Sequence, residues 1–258
     1  MAELTKIVYD GSGDRETAKD TFPRVLRDLF QADPEVVYLD ADLMNSFGTQ
    51  PLAAEMPERC IDCGIQEANM IGVAAGMSSV GKKPYVHTFG PFASRRVFDQ
   101  AFLSIAYAHN SVRIVASDPG VTAAFNGGTH MPFEDTALYR VVPGAMIVDV
   151  VDSVQFEWAL RSTKDRPGLT YIRTPRKGGK QVYPLDAQFQ EGKAAVLRDG
   201  VDVLLVGAGI MVAEMLAAEA VVAVQGIGSA ELVAVTGQAP DFPTDDEQPP
   251  KNGAGLPY

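Results

Sequence analysis

The sequence predicts an α/β fold, a doubly wound parallel sheet followed by a truncated second α/β unit. Two observations carry this expectation. Between residues 14 and 176, short apolar runs of strand length alternate with longer runs of helical period. A mostly polar stretch then separates that region from one further strand-like and helix-like pair. The chain of 258 residues is long enough for one large or two modest domains with a real core.

Asp14 to Phe30 opens on a capping residue and sets Val25, Leu26, Leu29 and Phe30 at helical spacing, which predicts the first helix. Val36-Val37-Tyr38-Leu39 is a short apolar run ending at Asp40 and reads as a buried strand. Cys60-Ile61-Asp62-Cys63 reads as a second short strand, and Gln66 to Ser79, rich in Ala, Gly and Met, as the helix after it. Pro84 to Thr88 is a strand ahead of a long helix from Ser94 to His109. Val112 to Ala116, Met146 to Val148 and Leu169 to Ile172 are further strands, with a helix from Ser153 to Thr163 between the last two. Strands separated by helices in this rhythm form a parallel sheet covered on both faces. Ligands in such sheets bind beyond the carboxyl ends of the strands, so the chemistry belongs in the loops that follow them.

These elements define a first domain over residues 1–176. Residues 177–193 are polar, contain Gly178-Gly179 and show no period, which reads as a linker. Ala194 to Leu197, Val203 to Val206 and a helix from Ile210 to Ala223 open a second unit over residues 194–237. It reads as truncated, because one strand–helix pair closes no core of its own. Residues 238–258, rich in Pro, Gly, Asp and Gln, are expected to be a disordered tail.

The hydrophobic fraction of 46% with 21% charged residues is that of an ordinary globular protein. A net charge of −11 argues against nucleic acid and anionic membrane surfaces as partners, since both are polyanions. No apolar run approaches the roughly 20 residues of a membrane span. The start, Met1-Ala2-Glu3-Leu4-Thr5-Lys6, carries no signal-peptide pattern, so a cytoplasmic location is expected. Cys60 and Cys63 form a lone C-x-x-C without a second ligand pair to complete zinc coordination, and are read as small core residues. Gly207-Ala208-Gly209 lacks the rest of a dinucleotide fingerprint and is read as a strand–helix turn.

Several post-strand segments carry candidate chemistry. Glu67 follows the Cys60 strand at the start of a helix poor in large polar side chains, whose small residues are expected to permit close packing. Phe89 and Phe92 follow the next strand, where two aromatics can form a slot for a flat heterocycle. His130 lies in the loop Phe125-Asn126-Gly127-Gly128-Thr129-His130, flanked by Gly, Thr and Pro rather than by an apolar face, with a helix from Phe133 to Arg140 after it.

In order and spacing, G-I-Q-E-A-N-M-I-G-V-A-A-G, T-F-G-P-F-x-x-R-R-x-F-D-Q, N-G-G-T-H-x-x-x-E-D and Y-I-R-T-P-R resemble the pyrimidine-binding domain of transketolases over residues 20 to 176. The resemblance implies thiamine diphosphate as cofactor and transfer of a two-carbon ketol unit between sugar phosphates. It implies that Glu67 hydrogen-bonds a ring nitrogen of the aminopyrimidine, favouring the tautomer that takes the proton from the thiazolium carbon. By the same resemblance Phe89 and Phe92 flank the pyrimidine, His130 and Asn126 meet substrate hydroxyls, and Arg173 binds the substrate phosphate. Two positions depart from the family pattern. Asn126 stands where many transketolases have Asp, and Asp118 where many have His, both on the sugar side.

The family's Gly-Asp-Gly stretch, which serves the diphosphate and a Mg2+ or Ca2+ ion, does not occur in the sequence. The resemblance therefore implies a separate amino-terminal, diphosphate-binding subunit that holds the metal, in an assembly of two copies of each chain. Related chemistries stay open: a 1-deoxyxylulose-5-phosphate synthase, the beta subunit of a 2-oxoacid dehydrogenase, or a non-catalytic interaction subunit. Asn69-Met70 after Glu67 favours transketolase over the synthase.

Overall fold

Parallel strands are buried on both faces, which is why the apolar runs in this sequence are continuous rather than alternating. In the computed structural model, which describes residues 4–224 and 229–236, those runs form β1 (Val36–Asp40), β2 (Cys60–Asp62), β3 (Lys83–Phe89), β4 (Val112–Ser117), β5 (Met146–Asp149) and β6 (Leu169–Thr174). They pair in the order β2-β1-β3-β4-β6-β5, every pair parallel. All their carboxyl ends therefore meet at one edge of the sheet.

One face is covered by α1 (Ala18–Ala32) and α7 (Ser153–Ser162), which bury Phe22, Leu26, Phe156 and Leu160 against the strands. The other face is covered by α3 (Glu67–Ser79), the segment Phe98–Tyr107 and α6 (Asp135–Arg140), with Met70, Ile71, Ala74, Ile105 and Tyr139 in that core. A short helix, α2 (Gln50–Glu55), which the sequence pattern did not indicate, joins β1 to β2.

Two helices differ from their expected extents. Asp14 does not cap α1. Its carboxylate instead accepts from the backbone N–H and hydroxyl of Ser153 at 2.6 and 2.7 Å, at the start of α7. The first helix begins after Thr17, whose N–H and hydroxyl both donate to Asp20. The long helix expected from Ser94 to His109 begins only at Phe98 and is two pieces, α5 (Phe98–Gln100) and a π-helical stretch over Ala101–Tyr107, with a separate short helix, α4 (Gly90–Ala93), ahead of it. Pro91 near the start of α4 and the wider π turns interrupt the regular period.

The second unit holds a three-stranded sheet, β7-β9-β8, formed by β7 (Lys193–Arg198), β8 (Val203–Gly207) and β9 (Ala230–Thr236). Helix α8 (Met211–Val224) connects the parallel pair β8 and β9. Contrary to expectation, this unit has a core of its own, because β9 buries Ala230, Leu232 and Ala234 against Leu197, Val212 and Leu216. The segment read as a linker contributes Val182 and Tyr183 to that core, and the Asp152 carboxylate accepts both their N–H groups. Residues near the amino terminus run along this unit, with Thr5 donating to Val196 and Val8 to Val182. The tail at residues 238–258 lies outside the described residues.

Candidate active site

The carboxyl edge of the sheet gathers most of the candidate residues into one strip. Beyond β2, Gly64 adopts a left-handed φ of +69° and turns the chain so that Glu67 becomes the first residue of α3. Glu67 is 4% exposed, and its Oε1 accepts a hydrogen bond from Arg96 Nη1 at 2.7 Å. Arg96 in turn lies over the Phe92 ring, 3.8 Å from its centre. The close packing expected of α3 comes from Ala74 and Ala75, whereas Gly72 and Gly76 face open space in this chain.

Phe89 ends β3, and Gly90 begins α4 directly against Pro132. That contact brings the 128–132 loop over the aromatic pair. His130 meets Phe89 edge-on at 5.1 Å and Phe92 at 5.2 Å, and the two phenylalanines lie 6.3 Å apart and nearly perpendicular. Thr129 Oγ1 and His130 Nδ1 share a hydrogen bond of 2.9 Å. Phe89 also carries the Arg176 guanidinium at 5.2 Å. Arg176 pairs with Asp118, the first residue beyond β4, at 3.1 Å. Burial pushes the Asp118 carboxyl above its ordinary range, with Arg176 pulling the other way.

Behind the strip runs a buried polar network that sequence reasoning did not single out. His87, in the middle of β3, holds Asp40 Oδ2 at 3.0 Å through Nδ1 and Ser117 Oγ at 3.2 Å through Nε2. Asp40 also accepts from the Tyr38 hydroxyl and the Leu43 N–H. The Phe47 ring stacks flat on His87 at 3.8 Å. Burial, reinforced by the adjacent Asp40 charge, raises the Tyr38 pKa and keeps the side chain a phenol. The network ties the ends of β1, β3 and β4 together immediately before Asp118. Its sequence signal was three polar residues, Asp40, His87 and Ser117, in the carboxyl-terminal halves of largely apolar strands.

Arg173 belongs to a different structure. Its Nε donates to Asp135 at 2.7 Å and its Nη1 to Asp149 at 2.6 Å, so two edges of its guanidinium are engaged. Tyr171 adds a hydroxyl to Asp135 at 2.9 Å. Asn126 closes a single 3-10 turn, Ala124–Asn126, and is exposed. Glu67, Phe89, Phe92 and His130 are thus linked by contact, while Arg173 staples α6 to the sheet. Arg176, two residues past the end of β6, borders the aromatic cluster at Phe89, as Arg96 does at Phe92.

Residues 17–181 match the transketolase pyrimidine-binding domain. The chain belongs to the transketolase family. It is 46% identical over 211 residues to the 6-deoxy-6-sulfo-D-fructose transketolase subunit SqwH of a Clostridium species, covering 82% of this chain and 66% of that one. It is 34% identical over 224 residues to a transketolase C-terminal section of Methanocaldococcus jannaschii, covering 86% of this chain and 71% of that one. Among solved structures, a split-gene transketolase described as an inactive beta4 tetramer superposes with a TM-score of 0.76 at 35% identity, over 85% of this chain and 71% of that one. The chain thus spans about two thirds of the length of these transketolase subunits. Among the described residues, no helix is long and apolar enough to cross a membrane.

Proposed function

We propose that this chain is the pyrimidine-binding subunit of a thiamine-diphosphate-dependent transketolase and moves a two-carbon ketol unit between sugars. The observation that carries this reading is the place of Arg96. A flat N–H donor stacked on Phe92 and bonded to buried Glu67 is what an aminopyrimidine ring would be, and the guanidinium stands in for it here. The donor set therefore fits the cofactor: a carboxylate for a ring nitrogen, with aromatic faces beside it. Loading the cofactor requires Arg96, 43% exposed at its side chain, to swing out towards solvent.

When bound, thiamine diphosphate supplies a carbon nucleophile and an electron sink for cleavage beside a ketose carbonyl. The chain's own groups do the rest. Glu67 holds the proton-sharing hydrogen bond to the ring, and Phe89 and Phe92 exclude water around it. His130, oriented by Thr129 and by its two edge-on aromatic contacts, offers Nε2 to substrate hydroxyls. Asn126, exposed on the preceding turn, is available to the sugar from the same loop. With Arg173 committed to two carboxylates, Arg176 is the residue we assign to the sugar's far end.

The diphosphate and its Mg2+ or Ca2+ ion fall to a separate amino-terminal subunit, in a complex of two copies of each chain. The naming of related proteins as subunits and as a split gene, one of them inactive as a beta4 tetramer, supports the need for that partner. The test is Glu67→Ala in the reconstituted complex. It should lower kcat/KM by about 100-fold or more, weaken thiamine diphosphate binding in a direct titration, and leave the melting temperature nearly unchanged. Wild-type turnover by that variant would remove Glu67 from the chemistry and the reading with it.

A further inference from the structure

The arginines around the aromatic cluster are each paired before any substrate arrives. Arg95 pairs with Glu134 at 2.6 Å, Arg96 with Glu67 at 2.7 Å, and Arg176 with Asp118 at 3.1 Å. Arg173 pairs with Asp135 and Asp149 at 2.7 and 2.6 Å. Over the cluster and the separate Arg173 staple behind it, five carboxylates (Glu67, Asp118, Glu134, Asp135, Asp149) face four guanidinium groups. Lys177, next along the chain, is exposed, where solvent screens its charge.

The Asp118–Arg176 pair is the one that borders Phe89 and, through it, His130. It is also built against local preference. Asp118 is a non-glycine residue at φ +61°, and its side chain is 3% exposed. Its N–H is fixed to the Thr174 carbonyl at 3.0 Å, and Ser117 before it is fixed to His87. The backbone thus holds the carboxylate beside Arg176, as an ion pair without a hydrogen bond between the two side chains, and Asp118 has no solvent into which to turn away.

A phosphate monoester carries nearly two negative charges at neutral pH. To reach Arg176 it must share one guanidinium with a buried carboxylate, in surroundings that screen repulsion poorly. A sulfonate brings a single charge and a hydroxyl none. We infer that the far end of the sugar handled here carries at most one negative charge, and that Asp118 is the residue that rejects a phosphate dianion. The inference rests on the ketol-transfer reading and narrows its substrate class.

The test uses the reconstituted two-subunit enzyme loaded with thiamine diphosphate. Its substrates are three six-carbon ketoses that differ only at carbon 6: phosphate, sulfonate or hydroxyl. The phosphate should show a kcat/KM at least tenfold below the better of the other two, and the sulfonate and hydroxyl arms tell whether Arg176 keeps one anion or none. Asp118→Asn removes the charge while tolerating the left-handed backbone, and should shift the phosphate-to-sulfonate ratio of kcat/KM towards phosphate by at least tenfold. An enzyme that turns over but prefers the phosphate, or a ratio unmoved by Asp118→Asn, overturns this inference alone. Absence of both cofactor binding and turnover with every ketose overturns the ketol-transfer reading as well.

Discussion

Gly90 stands where β3 passes into α4, and a Cβ added there would lie 2.5 Å from Cγ of Pro132. A proline ring cannot swing aside, so Gly90→Ala should push the following loop away and cost about 1–3 kcal/mol of stability. His130 rides on that loop. Turnover should therefore fall by roughly tenfold or more, beyond what the loss of stability explains. Measuring kcat beside the melting temperature checks this, and an unchanged kcat would show that His130 is positioned independently of the contact. At this scale the sequence was legible where candidate residues cluster at the carboxyl ends of strands: Glu67, Phe89, Phe92 and His130 stand out in the loops and strand ends there, and the fold brings them into one chain of contacts. The pairings were not legible. Arg96 reaches Glu67 across 29 positions, and Asp118 meets Arg176 from a different strand, so neither pair leaves a local pattern. The two arginines of Y-I-R-T-P-R were distinguishable in principle. Arg173 lies inside β6, whereas Arg176 lies past its carboxyl end, where ligands of such sheets bind. Burial raises the Cys60 thiol to about 12, which makes it an unreactive core residue, in keeping with its reading from sequence.

Among the elements, strands were more legible than helix boundaries. Continuous apolar runs fix a buried parallel strand, while a helix start depends on which carboxylate caps which turn. Asp14 and Thr17 are equally good capping residues on paper, and tertiary structure gives Asp14 to α7. The π-helical stretch over Ala101–Tyr107 has no signature in residue type alone. Arg173 shows what joins the elements. Its guanidinium links Asp135, the first residue of α6, to Asp149, the last residue of β5. Arg173→Ala would strand both carboxylates, at about 3–5 kcal/mol near neutral pH. Burial already lifts the Asp149 carboxyl above its reference value of 3.8, against the pull of Arg173. A carboxyl raised in the folded state favours the fold at low pH and loses that contribution as pH rises through the folded value. Without Arg173 the rise grows, so the variant's deficit should be largest near pH 7 and shrink as the pH is lowered towards the carboxyl range. Urea midpoints of both proteins at pH 7 and at pH 5 would check the sign, and a deficit that grows on acidification would contradict it.

In the whole molecule, the second unit is joined to the first through Asp149 as well. Gly209, in the turn between β8 and α8, donates its N–H to the Asp149 carbonyl at 3.1 Å and has a φ of +59°. A Cβ there would come 2.5 Å from the Asp149 carboxylate. The sequence reading of Gly207-Ala208-Gly209 as a plain strand–helix turn was right about the turn but could not show what the turn rests on. β9 was not legible in advance, although Ala230, Leu232 and Ala234 alternate in the manner of a strand with one buried face, because its small residues follow closely on an apolar helix. Asp149 is thus held by Arg173 on one side and packed against Gly209 on the other. Gly209→Ala should strain this junction twice, through a left-handed backbone worth about 1 kcal/mol and through the clash with the carboxylate. The first sheet retains its own cores and should keep its melting transition. The second unit should loosen, so that limited proteolysis within residues 177–193 speeds up by about fivefold or more, following the local opening equilibrium. Cleavage at the wild-type rate would mean that Asp152, through Val182 and Tyr183, holds the two units together without help from Gly209.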